Sequence, residues 1–269
     1  MSPGRDGCWK MRASCESREL TDTASTTEPG DITRGHLLDG RVLYAQPRSG
    51  FRSGIEPVLL AAAIPALPGQ RVIEAGTGAG AALLCLAARV PDIVGVGVER
   101  DAQMAALAHA NAAENGFGGL AFLAADICAR PALGIFDHAF ANPPYHAPAG
   151  TPSQLAARET AKRAHPGLFA DWAASLGSTL RPRGTLTLIV PANAIPDCLI
   201  AMQNAGCPAA MLFPLWPKQD RGAKLVLLRG IKHGRSTLNL RPGLVLHTEA
   251  GGFTPAAQAI LRGGAALEF

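Results

Sequence analysis

Four consecutive residues near the middle of the chain, Asn142-Pro143-Pro144-Tyr145, combine types that can hold a planar amine. They close the run Phe136-Asp137-His138-Ala139-Phe140-Ala141, which reads as a β-strand. Two prolines stop that strand, stiffen the turn and remove two backbone donors while leaving carbonyl acceptors. The Asn142 side-chain oxygen and the Pro143 carbonyl can accept from the two N–H bonds of an –NH2 group, and Tyr145 can stack on the plane that carries it. Acceptors of this kind suit a nitrogen whose lone pair is delocalised. They favour a nitrogen geometry ready for attack on a methyl group. No strong base is required, because the proton becomes acidic once the methyl has bonded. Without a ligand, the same residues would be a proline-rich turn with a packed tyrosine. Tyr145 is one of only two tyrosines, the other being Tyr44.

A second set of residues lies upstream. Val72-Ile73-Glu74-Ala75 reads as a strand and runs into Gly76-Thr77-Gly78-Ala79-Gly80, after which a helix is expected. Glycines here let the backbone turn sharply and approach a ligand, and ligands of open α/β sheets bind beyond the carboxyl ends of the strands. A dinucleotide and S-adenosylmethionine both fit, since Gly76, Gly78 and Ala81 also satisfy the dinucleotide pattern. Glu99 ends the next strand, where a carboxylate can accept both hydroxyls of a ribose. Asp126 follows the third strand, where it can accept from an adenine amino group or simply cap a helix. Glu74 can face a ligand ammonium, directly or through water, or be an ordinary acid at a strand end.

These residues need a scaffold, and the apolar periodicity supplies one. Strands are expected at 72–75, 93–99, 120–124, 136–141, 185–190, 209–215 and 225–229. Helices are expected at 79–90, 102–115, 168–180 and 194–205. Strands separated by helices imply βαβ units and a parallel sheet covered on both faces. No helix-length segment separates the last two strands, so they form a hairpin and one strand is antiparallel. Upstream, Asp39-Gly40 between apolar runs predicts a hairpin turn, and 56–64 a short helix before Pro65. The expected organisation is a disordered leader over 1–31 and a single domain over 32–269. That domain divides into an N-terminal hairpin and helix (32–66), a core (67–231) and a C-terminal extension (232–269).

Composition narrows the class. The chain has 269 residues, 48% apolar and 17% charged, enough to bury a core. No apolar run approaches the ~18 residues of a membrane span, and the N-terminus carries no hydrophobic signal region. Six cysteines without a close pair argue against a disulfide framework, and seven histidines show no metal-ligand spacing. A reduced, cytoplasmic protein without a metal is expected. G-x-S-x-G, Gly-Lys-Ser/Thr and His-Glu-x-x-His motifs are absent.

The glycine loop, Glu99, Asp126 and Asn142-Pro143-Pro144-Tyr145 together resemble the class I S-adenosylmethionine-dependent amino-methyltransferases. Within them, the chain resembles the adenine-N6 methyltransferases that modify valine tRNA beside the anticodon. Residues 50–60, Asn142 to His146, Pro242 to His247 and Gly252-Phe253-Thr254 carry that closer match. The resemblance implies Glu74, Gly76, Gly78, Glu99 and Asp126 at the cofactor and Asn142, Pro143 and Tyr145 at the target amine. It also implies a doubly wound, seven-stranded, mostly parallel sheet with an antiparallel last strand. His146 stands where an aromatic residue often follows the tetrapeptide, and Glu56 where Asp is usual.

Charge is unevenly spread. Residues 1–150 hold 12 bases and 15 acids, whereas 151–269 hold 13 bases and 6 acids. Seven bases and one acid lie between Lys218 and Arg241, and Arg158, Lys162 and Arg163 follow the tetrapeptide. Such groups contact phosphates or form a solvated face. The resulting expectation is methyl transfer to an adenine N6 of tRNA, with Pro144, His146, Lys218, Arg221 and Lys224 on the substrate side. The rivals are a protein-glutamine methyltransferase, a nicotinamide-dependent dehydrogenase and a non-catalytic RNA-binding module.

Overall fold

Strands β1 (Ile32–Leu37) and β2 (Val42–Pro47) form an antiparallel hairpin, turning through Leu38, Asp39 and Gly40 at positive φ. The structure, a computed structural model, describes residues 32–48, 53–144 and 167–268. The leader expected over 1–31 lies outside them. Helix α1 (Glu56–Ala63) follows, with Pro57 in its first turn, where a missing N–H costs nothing.

The alternation predicted downstream is then realised. Strand β3 (Arg71–Ala75), helix α2 (Ala81–Arg89), strand β4 (Val94–Glu99), helix α3 (Ala102–Glu114) and strand β5 (Leu120–Ala124) are followed by β6 (Phe136–Ala141). Beyond it come α4 (Leu168–Ser178), β7 (Leu180–Pro191), α5 (Ile195–Asn204), β8 (Ala209–Trp216) and β9 (Leu225–Ile231). The C-terminal part adds β10 (Asn239–Leu240), β11 (Leu244–Val245) and α6 (Pro255–Leu261).

The main sheet runs β8-β9-β7-β6-β3-β4-β5, with β9 antiparallel to both β7 and β8 and the remaining pairs of that series parallel. Among the described residues the sheet has nine strands and not the expected seven: β10 and β11 each pair with β8. Pairs of two residues are too short to show as a hydrophobic period. Strand β7 also starts earlier than predicted. Leu180 pairs with Phe136 across a register shift, so Pro182 and Gly184 lie within the strand instead of before it.

Side chains alternate between two cores, as a sheet covered on both faces requires. Val72, Phe140, Ile189 and Leu227 pack with α1, α2 and the hairpin's Val42 and Tyr44. Ile73, Ala139, Leu188 and Leu228 pack with α4 and α5. Cys85, in an apolar stretch of α2, is buried in the first core. Among the described residues, no helix is long and apolar enough to cross a membrane.

Candidate active site

Four strand ends lie side by side at the carboxyl edge. Asp126 follows β5, Glu99 ends β4, Gly76 follows β3 and Asn142 follows β6. Ala75 is in register with both Val98 and Ala141, so the first glycine of the loop and Asn142 leave the sheet on neighbouring strands. The sheet order reverses between β3 and β6, and open α/β sheets bind ligands at such a switch point. Three inter-strand spacings separate β5 from β6, about 14 Å in all.

The loop's conformation needs its glycines. Gly76, Gly78 and Gly80 have φ of +64°, +56° and +91°. A Cβ on Gly76 would lie 2.6 Å from the Trp172 ring, which α4 places over the turn. The backbone is pinned to β4: Gly76 N donates to the Val98 carbonyl at 2.8 Å, and Gly78 N to Glu99 Oε2 at 2.9 Å. Glu99 Oε1 accepts from Asp101 N at 3.0 Å. Each Glu99 oxygen thus accepts one of these amide bonds and keeps lone-pair capacity for a ribose hydroxyl, which fits the proposed cofactor contact. The loop runs directly into the N-terminus of α2.

Glu74 is only 4% exposed and accepts from Thr77 Oγ1 at 2.6 Å. Burial pushes its carboxyl up to about 8, against the hydrogen bond from Thr77, and Glu99 adds to the rise. Glu74 is therefore poised to ionise when a cation approaches, and it orders the loop through Thr77. Tyr44 lies close enough to Glu74 to interact electrostatically. Burial pushes its phenol up to about 12, and its hydroxyl bonds Ser53 Oγ at 2.8 Å.

A family model described as the methyltransferase small domain matches residues 56–170. A tRNA1(Val) (adenine(37)-N6)-methyltransferase from Serratia proteamaculans is 33% identical over 176 residues, 62% of this chain and 66% of that protein. One from Dickeya chrysanthemi is 28% identical over 242 residues, covering 86% of this chain and 94% of that protein. A solved structure described as a predicted O-methyltransferase from Agrobacterium tumefaciens matches with 25% identity and a TM-score of 0.65. It covers 78% of this chain and 97% of that one. Residues 56–170 carry the methyltransferase small-domain pattern, and the fold is that of the class I methyltransferases. The stretch aligned with another relative of the same name, from an Enterobacter strain, spans 62% of that protein.

Of the residues singled out in this chain, Glu74, Gly76, Gly78, Glu99, Asp126, Asn142, Pro143 and Pro144 stand along the one edge. Pro143 is buried and Asn142 half-buried. Asp126 also caps a short turn, accepting from Cys128 N at 2.8 Å, so its helix-cap role is real. Tyr145, His146, Arg158, Lys162 and Arg163 lie outside the described residues.

The basic run from Lys218 to Arg241 does not form one face. Lys218, Arg221 and Lys224 sit in the β8–β9 connection at the carboxyl edge, where Lys224 O accepts from Ala192 N just beyond β7. Lys218 Nζ donates to Glu249 O at 3.0 Å, and Arg221 and Lys224 are exposed. Arg229 is 6% exposed inside β9 and donates to the Ala63 carbonyl at the end of α1. Lys232 and Arg235 emerge at the opposite edge. The antiparallel strand β9 carries the chain between the two edges, a division that linear charge counting cannot reveal.

Three supporting residues escaped the sequence reading: Trp172, Thr77 and Asn111. Asn111 is the one with a visible signal, because a buried polar residue four positions before Asn115 interrupts an alanine-rich helix. Its Nδ2 donates to Ala45 O and Ala79 O, both at 2.9 Å, and its Oδ1 accepts from Ala45 N at 3.0 Å. Asn115 makes the matching pair of bonds to Leu43 N and O. The two asparagines thus act as a further strand along the free edge of β2, and Asn111 also fastens the glycine loop. Among the described residues, no group of His, Cys, Asp and Glu could hold a metal ion.

Proposed function

We propose that this chain transfers a methyl group from S-adenosylmethionine to the exocyclic N6 amine of an adenine in tRNA, in the cytoplasm. The observation that carries the reading is the register of Ala75 with Ala141, which sets the glycine loop beside Asn142-Pro143. The tRNA1(Val) adenine-N6 methyltransferases among the relatives favour an adenine over a protein amide.

S-adenosylmethionine, when bound, supplies an electrophilic methyl on sulfur. In this reading Glu99 accepts the ribose hydroxyls and Asp126 the adenine amino group of the cofactor. The glycine loop lets its backbone approach closely, and Glu74 faces the ammonium end. Asn142 Oδ1 and the Pro143 carbonyl hold the two N–H bonds of the target amine, while Tyr145 stacks on the base. The amine held by Asn142 and Pro143 would take the methyl that the bound cofactor supplies, the sulfur would keep the bonding pair, and one amine proton would pass to solvent. Positioning supplies most of the rate. Lys218, Arg221 and Lys224 contact phosphates near the target.

The test uses tRNA from cells lacking this protein, labelled cofactor and nucleoside mass spectrometry. N6-methyladenosine is expected with the wild type, and Asn142→Ala is expected to lose turnover by orders of magnitude while still binding cofactor. Label on a release-factor glutamine with none on tRNA would refute the substrate assignment. Wild-type turnover by Asn142→Ala would refute the role of that residue.

A further inference from the structure

The opposite edge of the sheet carries a concentration of positive charge for which methyl transfer has no use. Three connections meet there: the start of β7, the link from α5 to β8, and the turn after β9. Arg183 N donates to Lys232 O at 3.0 Å, Lys232 N to Gly184 O at 2.8 Å and His233 N to Gly206 O at 2.8 Å. These bonds lock the turns together. Arg71 and Arg181 flank them, and Asp137, at the start of the neighbouring β6, is held by Arg181 Nε at 2.6 Å and by Arg71 N at 2.8 Å.

The five bases are not equivalent. Lys232 Nζ caps α5 through the Ala205 carbonyl at 3.1 Å. Arg71 lies 5.2 Å over the Phe136 ring, and Arg181 is paired. Arg183 and Arg235 are exposed, and their guanidinium groups make no hydrogen bond or ion pair with the described residues. Arg183 and His233 also adopt φ of +67° and +55°, where glycine would be cheaper. The fold thus accepts a backbone cost at two residues that present basic side chains to solvent.

We infer that this edge is a second contact for RNA phosphates, gripping the body of a folded RNA away from the target nucleotide. The inference rests on the RNA reading of the site. From Thr185 to Pro191, β7 places the edge about 20 Å from the carboxyl end. A full tRNA laid along the α4–α5 side carries many more phosphates past this edge than a short stem-loop engaged at the target does. Unpaired guanidinium groups on a locked frame suit phosphate oxygens, and each contact steepens the salt dependence.

The test compares full-length tRNA with an anticodon stem-loop for Arg183→Glu/Arg235→Glu. The double variant is expected to raise KM for full tRNA ~10-fold and to flatten the slope of log KM against log salt by about one to two. Its kcat, its KM for the stem-loop and its melting temperature stay unchanged. An unchanged KM and salt slope on full tRNA overturns the inference. So does an equal loss on both RNAs with a lowered melting temperature, which marks a structural role. If the wild type methylates neither RNA, the substrate reading itself fails, a result visible without the variant.

Discussion

Asn111→Ala tests whether the hairpin and the glycine loop are one mechanical unit. Asn111 is 1% exposed and hydrogen-bonds three backbone groups: Ala45 N, Ala45 O and Ala79 O. Ala45 and Ala79 are themselves buried, so water reaches the orphaned groups poorly. An unsatisfied buried donor or acceptor costs about 1–3 kcal/mol, and partial relaxation reduces the sum, so a loss of ~3–5 kcal/mol is expected. At roughly 2–4 °C per kcal/mol for a domain of this size, the melting temperature falls by about 10 °C. Cofactor affinity falls too, because the Ala79 carbonyl no longer holds the loop. Asn111→Asp keeps the acceptor for Ala45 N but sets a carboxylate against two carbonyl oxygens, so its stability should fall as pH rises. Urea unfolding without ligand and calorimetric titration with S-adenosylmethionine measure both quantities. A loss under ~1 kcal/mol with unchanged cofactor affinity would refute the reasoning.

Three further outcomes are expected. Gly76→Ala forces a Cβ toward Trp172 at a positive φ, so cofactor affinity by titration should fall at least ~10-fold, and adding Trp172→Leu should recover only part of it. Glu74, raised to about 8, favours the folded state while protonated. That contribution is present below its ordinary value and is lost as pH rises through about 8, so Glu74→Gln should flatten the ligand-free melting curve between pH 5 and 8. His138 bonds Thr185 Oγ1 and Gln70 Oε1, and burial lowers it to about 4. Stability from the neutral ring is lost as pH falls from about 6.5 toward 4. An acid-side melting curve for His138→Gln matching the wild type would exclude that assignment.

The order of elements was readable along the chain because each parallel strand is an apolar run and each helix is bounded by glycine, proline or a cap. Asp101, for example, caps α3 by accepting from Gln103 N and Met104 N. The two-residue strands β10 and β11 were not readable, since pairing of that length depends on the neighbouring β8 and not on any local period.

By itself, the sequence determined the chemistry available at the carboxyl edge: glycines that permit positive φ, acids at two strand ends, and an Asn-Pro-Pro turn with rigid acceptors. Those properties belong to residue types and short spacings. Only the tertiary structure decided which of them are neighbours. It set Gly76 beside Asn142, 66 positions further along the chain, through the Ala75–Ala141 register. It buried Arg229 against the end of α1, and it sent the remaining charges of one basic run to opposite edges of the sheet. Strand pairing and burial are relations between distant segments. Their energies depend on what lies across the sheet, which no local reading of the chain contains.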